Sequence, residues 1–131
     1  MSVRRAEASN NRQRVVVADD NRPMLDNLVR LLSKEYDVVA ALLDGEAAVA
    51  ATARHAPDVV VLDIAMPGVS GIAAANQLKA RGVPAKVVFV TMHHDREYVQ
   101  ESLALGTVGF VVKDRLVSDL LPAVREVLAG H

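Results

Sequence analysis

The side chains best able to hold or transfer a charged group stand at one kind of place in this sequence, the end of an apolar run. Asp19 and Asp20 close Arg14-Val15-Val16-Val17-Ala18, and Asp63 closes Val59-Val60-Val61-Leu62. Thr91 closes Lys86-Val87-Val88-Phe89-Val90, and Lys113 follows Val108-Gly109-Phe110-Val111-Val112. Carboxylates gathered in one pocket repel: two unit charges about 4 Å apart cost roughly 4 kcal/mol at an effective dielectric of about 20. A single lysine cannot offset Asp19, Asp20 and Asp63 together, so the set calls for a divalent cation. All-oxygen ligands completed by water suit Mg²⁺, with Mn²⁺ as a substitute. A metal, a lysine and a hydroxyl around one carboxylate are the parts that phosphoryl transfer needs, with Asp63 as the in-line nucleophile that becomes an aspartyl phosphate. Nothing in the set reads as a base for fast hydrolysis, so the covalent state is expected to last.

For these residues to meet, the runs they end must be parallel neighbours. The unbroken aliphatic run before Asp63 reads as a strand buried on both faces, and Pro67, Gly68 and Gly71 mark the loop that leaves it. Arg14–Ala18 is the first strand, Tyr36–Leu42 the second, Lys86–Thr91 the fourth and Val108–Val112 the fifth. Helices are expected between them. Pro23 opens one with Leu25, Leu28, Leu31 and Leu32 at helical spacing, and Glu46 to His55 forms a second by propensity, closed by Ala56-Pro57. Ile72 to Ala80 forms a third, and Tyr98, Val99, Leu103 and Leu105 mark a weakly amphipathic fourth ended by Gly106. Ser118 is expected to cap a fifth, whose buried stripe is Leu120, Leu121, Val124, Val127 and Leu128, with Pro122 early enough to be tolerated. Such alternation implies right-handed crossovers and a parallel sheet covered on both faces. Every strand then ends at the same edge, where open α/β sheets bind ligands. The second strand brings nothing reactive there, as befits an outermost strand in the order 2-1-3-4-5.

The bulk properties bound this reading. A chain of 131 residues suffices for one domain, and with 51% hydrophobic but only 3% aromatic residues its core must be aliphatic. A formal net charge of -1 supplies no basic field for nucleic acid. Without cysteine there is neither a disulfide framework nor a thiolate metal site, which fits a reducing cytoplasm. No apolar run approaches the ~20 residues that cross a bilayer, and Met1 to Arg14 lacks the apolar segment of a signal peptide. Residues 1–13 are expected to be a flexible leader and 14–130 the folded domain. Arg4, Arg5, Arg12 and Arg14 read as a solvated tail before a basic arm.

Each residue also has a bland reading. Asp19-Asp20 suits a helix N-terminus, Lys113 a solvated surface, Thr91 the finish of a strand and Phe110 core packing. Adjacent His93 and His94 diverge, so a solvated loop is favoured over a metal site. What argues against coincidence is that the reactive types fall on the ends of four different strands.

In this order and context the chain resembles the receiver domain of two-component response regulators, over about Arg14 to Gly130. The resemblance rests on Asp19-Asp20, on Asp63 with Met66-Pro67 and Gly71, on Thr91, and on Phe110 with Lys113. It implies a flavodoxin-like α/β fold, a (βα)5 doubly wound parallel five-stranded sheet. It implies that Asp63 is the phosphoacceptor for a partner histidine kinase. Asp20, Asp63 and the backbone carbonyl of Ala65 would hold Mg²⁺, with Asp19 helping through water, and Thr91 and Lys113 would bind phosphoryl oxygens. Thr91 would then draw inward with Phe110 following, so that the face made by the fourth helix, fifth strand and fifth helix changes. That is a population shift between two packings, read out as homodimerisation or docking. The chain is then a signalling switch rather than an enzyme.

Some positions depart from the family pattern. Asp114 follows Lys113 where many receivers have Pro, so no cis peptide is expected. Met92 stands where a small residue is frequent, and Ala65 offers no side chain to position water; both point to slow loss of the phosphoryl group. Thr91-Met92-His93, Phe110 to Asp114 and Leu121 to Gly130 look most like receivers of LuxR/NarL-type transcription regulators, so DNA is expected to be contacted only through an output domain outside this chain. Two alternatives remain. An aspartate-nucleophile phosphatase would need a second acid beside Asp63, and position 65 is Ala. A phosphorylation-independent interaction module would have no use for the acidic set.

Overall fold

Valine and leucine make up most of Arg14–Ala18 (β1) and Val59–Asp63 (β3), and such β-branched and aliphatic runs fit a pleated surface buried from both sides. The computed structural model describes residues 12–92 and 108–130. Its remaining strands are Asp37–Leu42 (β2), Lys86–Thr91 (β4) and Val108–Val112 (β5). All pair in parallel, in the order β2-β1-β3-β4-β5, as expected. The inner strands β1 and β3 are almost wholly buried, whereas the outermost, β2 and β5, are mostly half-buried. The aliphatic sequence of an edge strand does not reveal this, because only its neighbours decide how much of it is covered.

Two apolar layers flank the sheet. Val15, Val17, Val59, Val61, Val88, Val90 and Val111 face one layer, packed by helix α1 (Arg22–Leu32) and the C-terminal helix (Leu116–Leu128). Val16, Val60, Leu62, Val87 and Phe89 face the other, packed by helices α2 (Gly45–His55) and α3 (Gly71–Ala80). Alternation along each strand, period two, sorts the residues between layers. Each fully buried Val or Leu contributes about 1.5–3 kcal/mol of apolar transfer.

Helix starts are set by side chains that satisfy otherwise unpaired N–H groups. Asn21 accepts from Met24 N at 2.9 Å, Asp44 from Ala47 N at 2.7 Å and Ser70 from Ala73 N at 3.1 Å. The expected cap of the last helix is corrected: Ser118 lies inside its first turn, with Oγ 3.3 Å from the Arg115 carbonyl. A 3₁₀ turn, Lys113–Arg115, leads straight from β5 into the helix and starts it before Ser118 is reached. Pro122 therefore sits deeper in the helix than expected, where it withholds one backbone N–H. Every described peptide bond is trans, the one after Lys113 included. No helix of the described residues is long and apolar enough to cross a membrane. The expected fourth helix, His93-His94 and residues 1–11 of the leader lie outside the described residues.

Candidate functional site

Strand register decides which reactive residues share a pocket. Ala18 pairs with Leu62, so Asp19 and Asp63 emerge side by side, and Thr91 pairs with Val112, immediately before Lys113. Asp19, Asp63 and Lys113 fall in step with Val17, Val61 and Val111, on the α1 side of the sheet. Thr91 and Phe110 fall in step with Phe89, on the other side. The same period that builds the two cores thus divides the edge into an acidic cluster with its lysine and a hydroxyl in line with aromatic rings.

Within the cluster, one carboxylate oxygen from each of Asp19, Asp20 and Asp63 lies within 4.8 Å of the others. Asp19 and Asp63 are buried, and Asp20 is exposed at the rim. Lys113 Nζ reaches both buried acids, 3.1 Å from Asp19 Oδ2 and 3.3 Å from Asp63 Oδ2. Asp19 Oδ1 accepts from Asn21 N at 2.9 Å, and Asp63 Oδ1 from Ala65 N at 3.3 Å. Asp19 Oδ2 is sealed from solvent and accepts no well-aligned hydrogen bond, so the nearby ammonium offsets its charge without filling its lone pairs.

The electrostatics follow. Burial, then the neighbouring Asp19, push the Asp63 carboxyl from its ordinary 3.8 up to about 7, against the opposing pull of Lys113. Burial disfavours the charge on Lys113, but Asp63 and Asp19 together outweigh it and hold its pKa above the usual lysine value. A buried carboxylate oxygen whose hydrogen-bonding capacity Lys113 does not fill, together with more negative charge than Lys113 can offset, fits a divalent cation bound by oxygen ligands.

The loop after Asp63 is held closely. Ile64 N donates to Val90 O at 3.0 Å, and Gly71 N donates back to Ile64 O at 2.9 Å. A Cβ at Gly71 would overlap the Asp63 carbonyl oxygen, so only glycine lets α3 begin against the strand end. Ala65 is exposed at the rim of this loop, and Met66 turns into the α2–α3 core. Ser70 and Asn21, whose caps fix the helices on either side of the cluster, were missed by the sequence reading. Asn21 two residues before Pro23, and Ser70 just before an alanine-rich helix, were the available signals.

Thr91 is buried at the end of β4, and its hydroxyl donates to the Met92 carbonyl at 3.0 Å. Phe110 is half-buried against Phe89, with ring centroids 5.6 Å apart and planes tilted by 33°. Met92 is 44% exposed. With Met24, Val112, Lys113 and Asp114 it lines a hollow of about 250 Å³ beside the cluster.

Comparison with known proteins identifies the family and the fold. The family model described as the response regulator receiver domain matches residues 15–125. The transcriptional regulatory protein DegU of Brevibacillus brevis is 33% identical over 126 residues, which are 95% of this chain and 53% of that protein. The chain thus spans about half the length of the curated relatives it matches. Among solved structures, the signal receiver domain of the response regulator NarL from Mycobacterium tuberculosis superposes with a TM-score of 0.85 at 33% identity, covering 92% of this chain and 98% of that one. A LuxR-family two-component response regulator from Aurantimonas sp. SI85-9A1 gives 0.84 at 28% identity, covering 92% and 87%.

Proposed function

This chain belongs to the response regulator receiver domain family, the signalling switches of two-component systems, and from that premise we propose that Asp63 is its phosphoacceptor. The observation that carries the reading is the cluster of Asp19, Asp20 and Asp63 with Lys113 in contact with both buried acids. The donor is a phosphohistidine of a partner histidine kinase. An Asp63 carboxylate oxygen attacks phosphorus in line, the P–N bond breaks, and the imidazole leaves with a proton, so that a mixed acyl phosphate replaces a phosphoramidate.

Asp20, Asp63 and the Ala65 carbonyl would hold Mg²⁺, with Asp19 acting through water and Mn²⁺ as a substitute. When bound, the cation neutralises the carboxylates and the phosphoryl oxygens gathered there. Asp63 must be ionised to attack; burial and then Asp19 raise its pKa to about 7, and relief of the repulsion with Asp19 would favour the reactive form. Lys113 exchanges its carboxylate contacts for a phosphoryl oxygen. Thr91 exchanges the Met92 carbonyl for another, and Phe110 follows on the same side of the sheet. The surface around β5 and the C-terminal helix is then repacked to control dimerisation or a DNA-binding output domain, in keeping with the LuxR/NarL-type relatives. On the same proposal the protein acts in the cytoplasm, with residues 1–13 as a leader to a receiver domain at 14–130. Ala65 has no side chain to hold an attacking water and Met92 crowds the approach, so the acyl phosphate persists.

Incubation with acetyl phosphate and Mg²⁺ tests the reading. The wild type is expected to gain a covalent, alkali-labile phosphoryl group, detected by mass spectrometry, that Asp63→Asn abolishes; decay of the same adduct measures its lifetime. An unchanged wild-type mass overturns the assignment.

A further inference from the structure

Gly45 opens helix α2, and no unusual backbone conformation requires glycine there, since its φ lies outside the left-handed region. The requirement is space. A Cβ at Gly45 would overlap the Val69 carbonyl oxygen and stand 2.9 Å from the carbonyl carbon and 3.0 Å from the Val69 Cβ. Val69 belongs to the loop between Asp63 and α3, and it packs against the α2–α3 core rather than lying free at the surface. That loop is shut at both ends. Gly71 N donates to Ile64 O at 2.9 Å, Ile64 N is tied to β4, and Ser70 is fixed as the cap of α3. A push on Val69 is therefore passed along the loop toward the span from Ala65 to Gly68.

We propose that Gly45 is a positioning residue for the cation site: its missing side chain lets the α2 N-terminus act as a backstop to the Val69 carbonyl, which holds the Ala65 carbonyl in place. The inference rests on the cation set proposed above. It assigns a function in the site to a residue on a strand–helix junction that contributes no ligand and no charge.

The test compares Gly45→Ala with Gly82→Ala in the full chain. Gly82 has φ +73° and a Cβ there would meet nothing within 4 Å, so alanine strains the backbone without touching the loop. Both variants are expected to melt at lower temperature without metal. Only Gly45→Ala is expected to weaken Mg²⁺ binding, by about tenfold in calorimetric titration, the scale of losing a group that orients a metal ligand. Gly82→Ala should stay within about twofold of the wild type on the same scale. Equal Mg²⁺ affinities for the two variants overturn the proposal. Should Gly45→Ala fail to fold, hydrogen exchange on the wild type decides: Mg²⁺ alone should slow exchange at the Ala47 and Ala48 amides in the first turn of α2, by the reciprocity of linked sites. Unchanged exchange there overturns the proposal. A wild type that binds no Mg²⁺ removes the cation set and Gly45 together, whereas a wild type that binds it with indistinguishable variants removes Gly45 alone.

Discussion

Asp63 works against the fold that surrounds it. Its carboxyl is raised from 3.8 to about 7, first by burial and then by Asp19. In the unfolded chain the same group ionises near its ordinary value, so between about pH 4 and 7 the folded protein keeps a proton that the unfolded chain has lost. Stability without metal therefore falls as pH rises through that window and levels off above it, by on the order of a few kcal/mol. Urea denaturation in the presence of a chelator should give a higher unfolding free energy at pH 5 than at pH 8. Asp63→Asn should flatten this dependence and exceed the wild type at pH 8. A wild-type profile that rises from pH 5 to 8 would contradict the charge repulsion described for the cluster. The same repulsion is what a divalent cation would relieve, so the strain belongs to the binding chemistry of the site.

At the scale of elements, the ends of helices carry the local cost. Ala56 closes α2 in the left-handed conformation, φ 47° and ψ 58°, with its N–H donated to Thr52 O at 3.0 Å. That conformation crowds a Cβ against the backbone, and most proteins place glycine there. Ala56→Gly is expected to raise stability by roughly 0.5–1 kcal/mol, the strain relieved less the added entropy of the unfolded chain. A midpoint in urea that is unchanged or lower would show that the strain is taken up elsewhere. The opposite economy operates at the start of the C-terminal helix, where a 3₁₀ turn takes over the connection from β5 and keeps Lys113 at the sheet edge.

Across the whole molecule, the sheet separates two apolar layers that meet only through the alternating side chains of its strands. Phe89 is the largest fully buried side chain among the described residues, and it joins the α2–α3 layer to Phe110 on β5. Phe89→Ala would leave a cavity beneath both, at a cost of about 3–5 kcal/mol. Chemical denaturation should show that loss, and a loss below about 1 kcal/mol would mean that the layer closes over the gap. A bidentate pair, Arg125 to Glu35 at 3.1 and 2.7 Å, ties the C-terminal helix to the turn that follows α1. Both residues are exposed, so water screens the pair and the apolar layer beneath carries the contact.

The sequence by itself determined the five strands, their order, the helices between the first four of them and the edge at which the reactive residues collect. It could do so because aliphatic runs and the residue that ends each one are local features. Asp19, Asp63 and Lys113 were legible in this way, each as the last or next residue of a valine-rich run. Only the tertiary structure decided that Lys113 touches both buried acids while Thr91 turns to the Met92 carbonyl, because strand register and burial are set by neighbours far away in sequence. It also decided where the last helix begins, since a 3₁₀ turn competes with Ser118 through backbone geometry that no single residue type announces. Asp44-Gly45, just after the second strand, has in sequence only the composition of a turn. The actual constraint on Gly45, a Val69 carbonyl oxygen standing where a Cβ would go, exists only once two strand ends and two helices have been brought together.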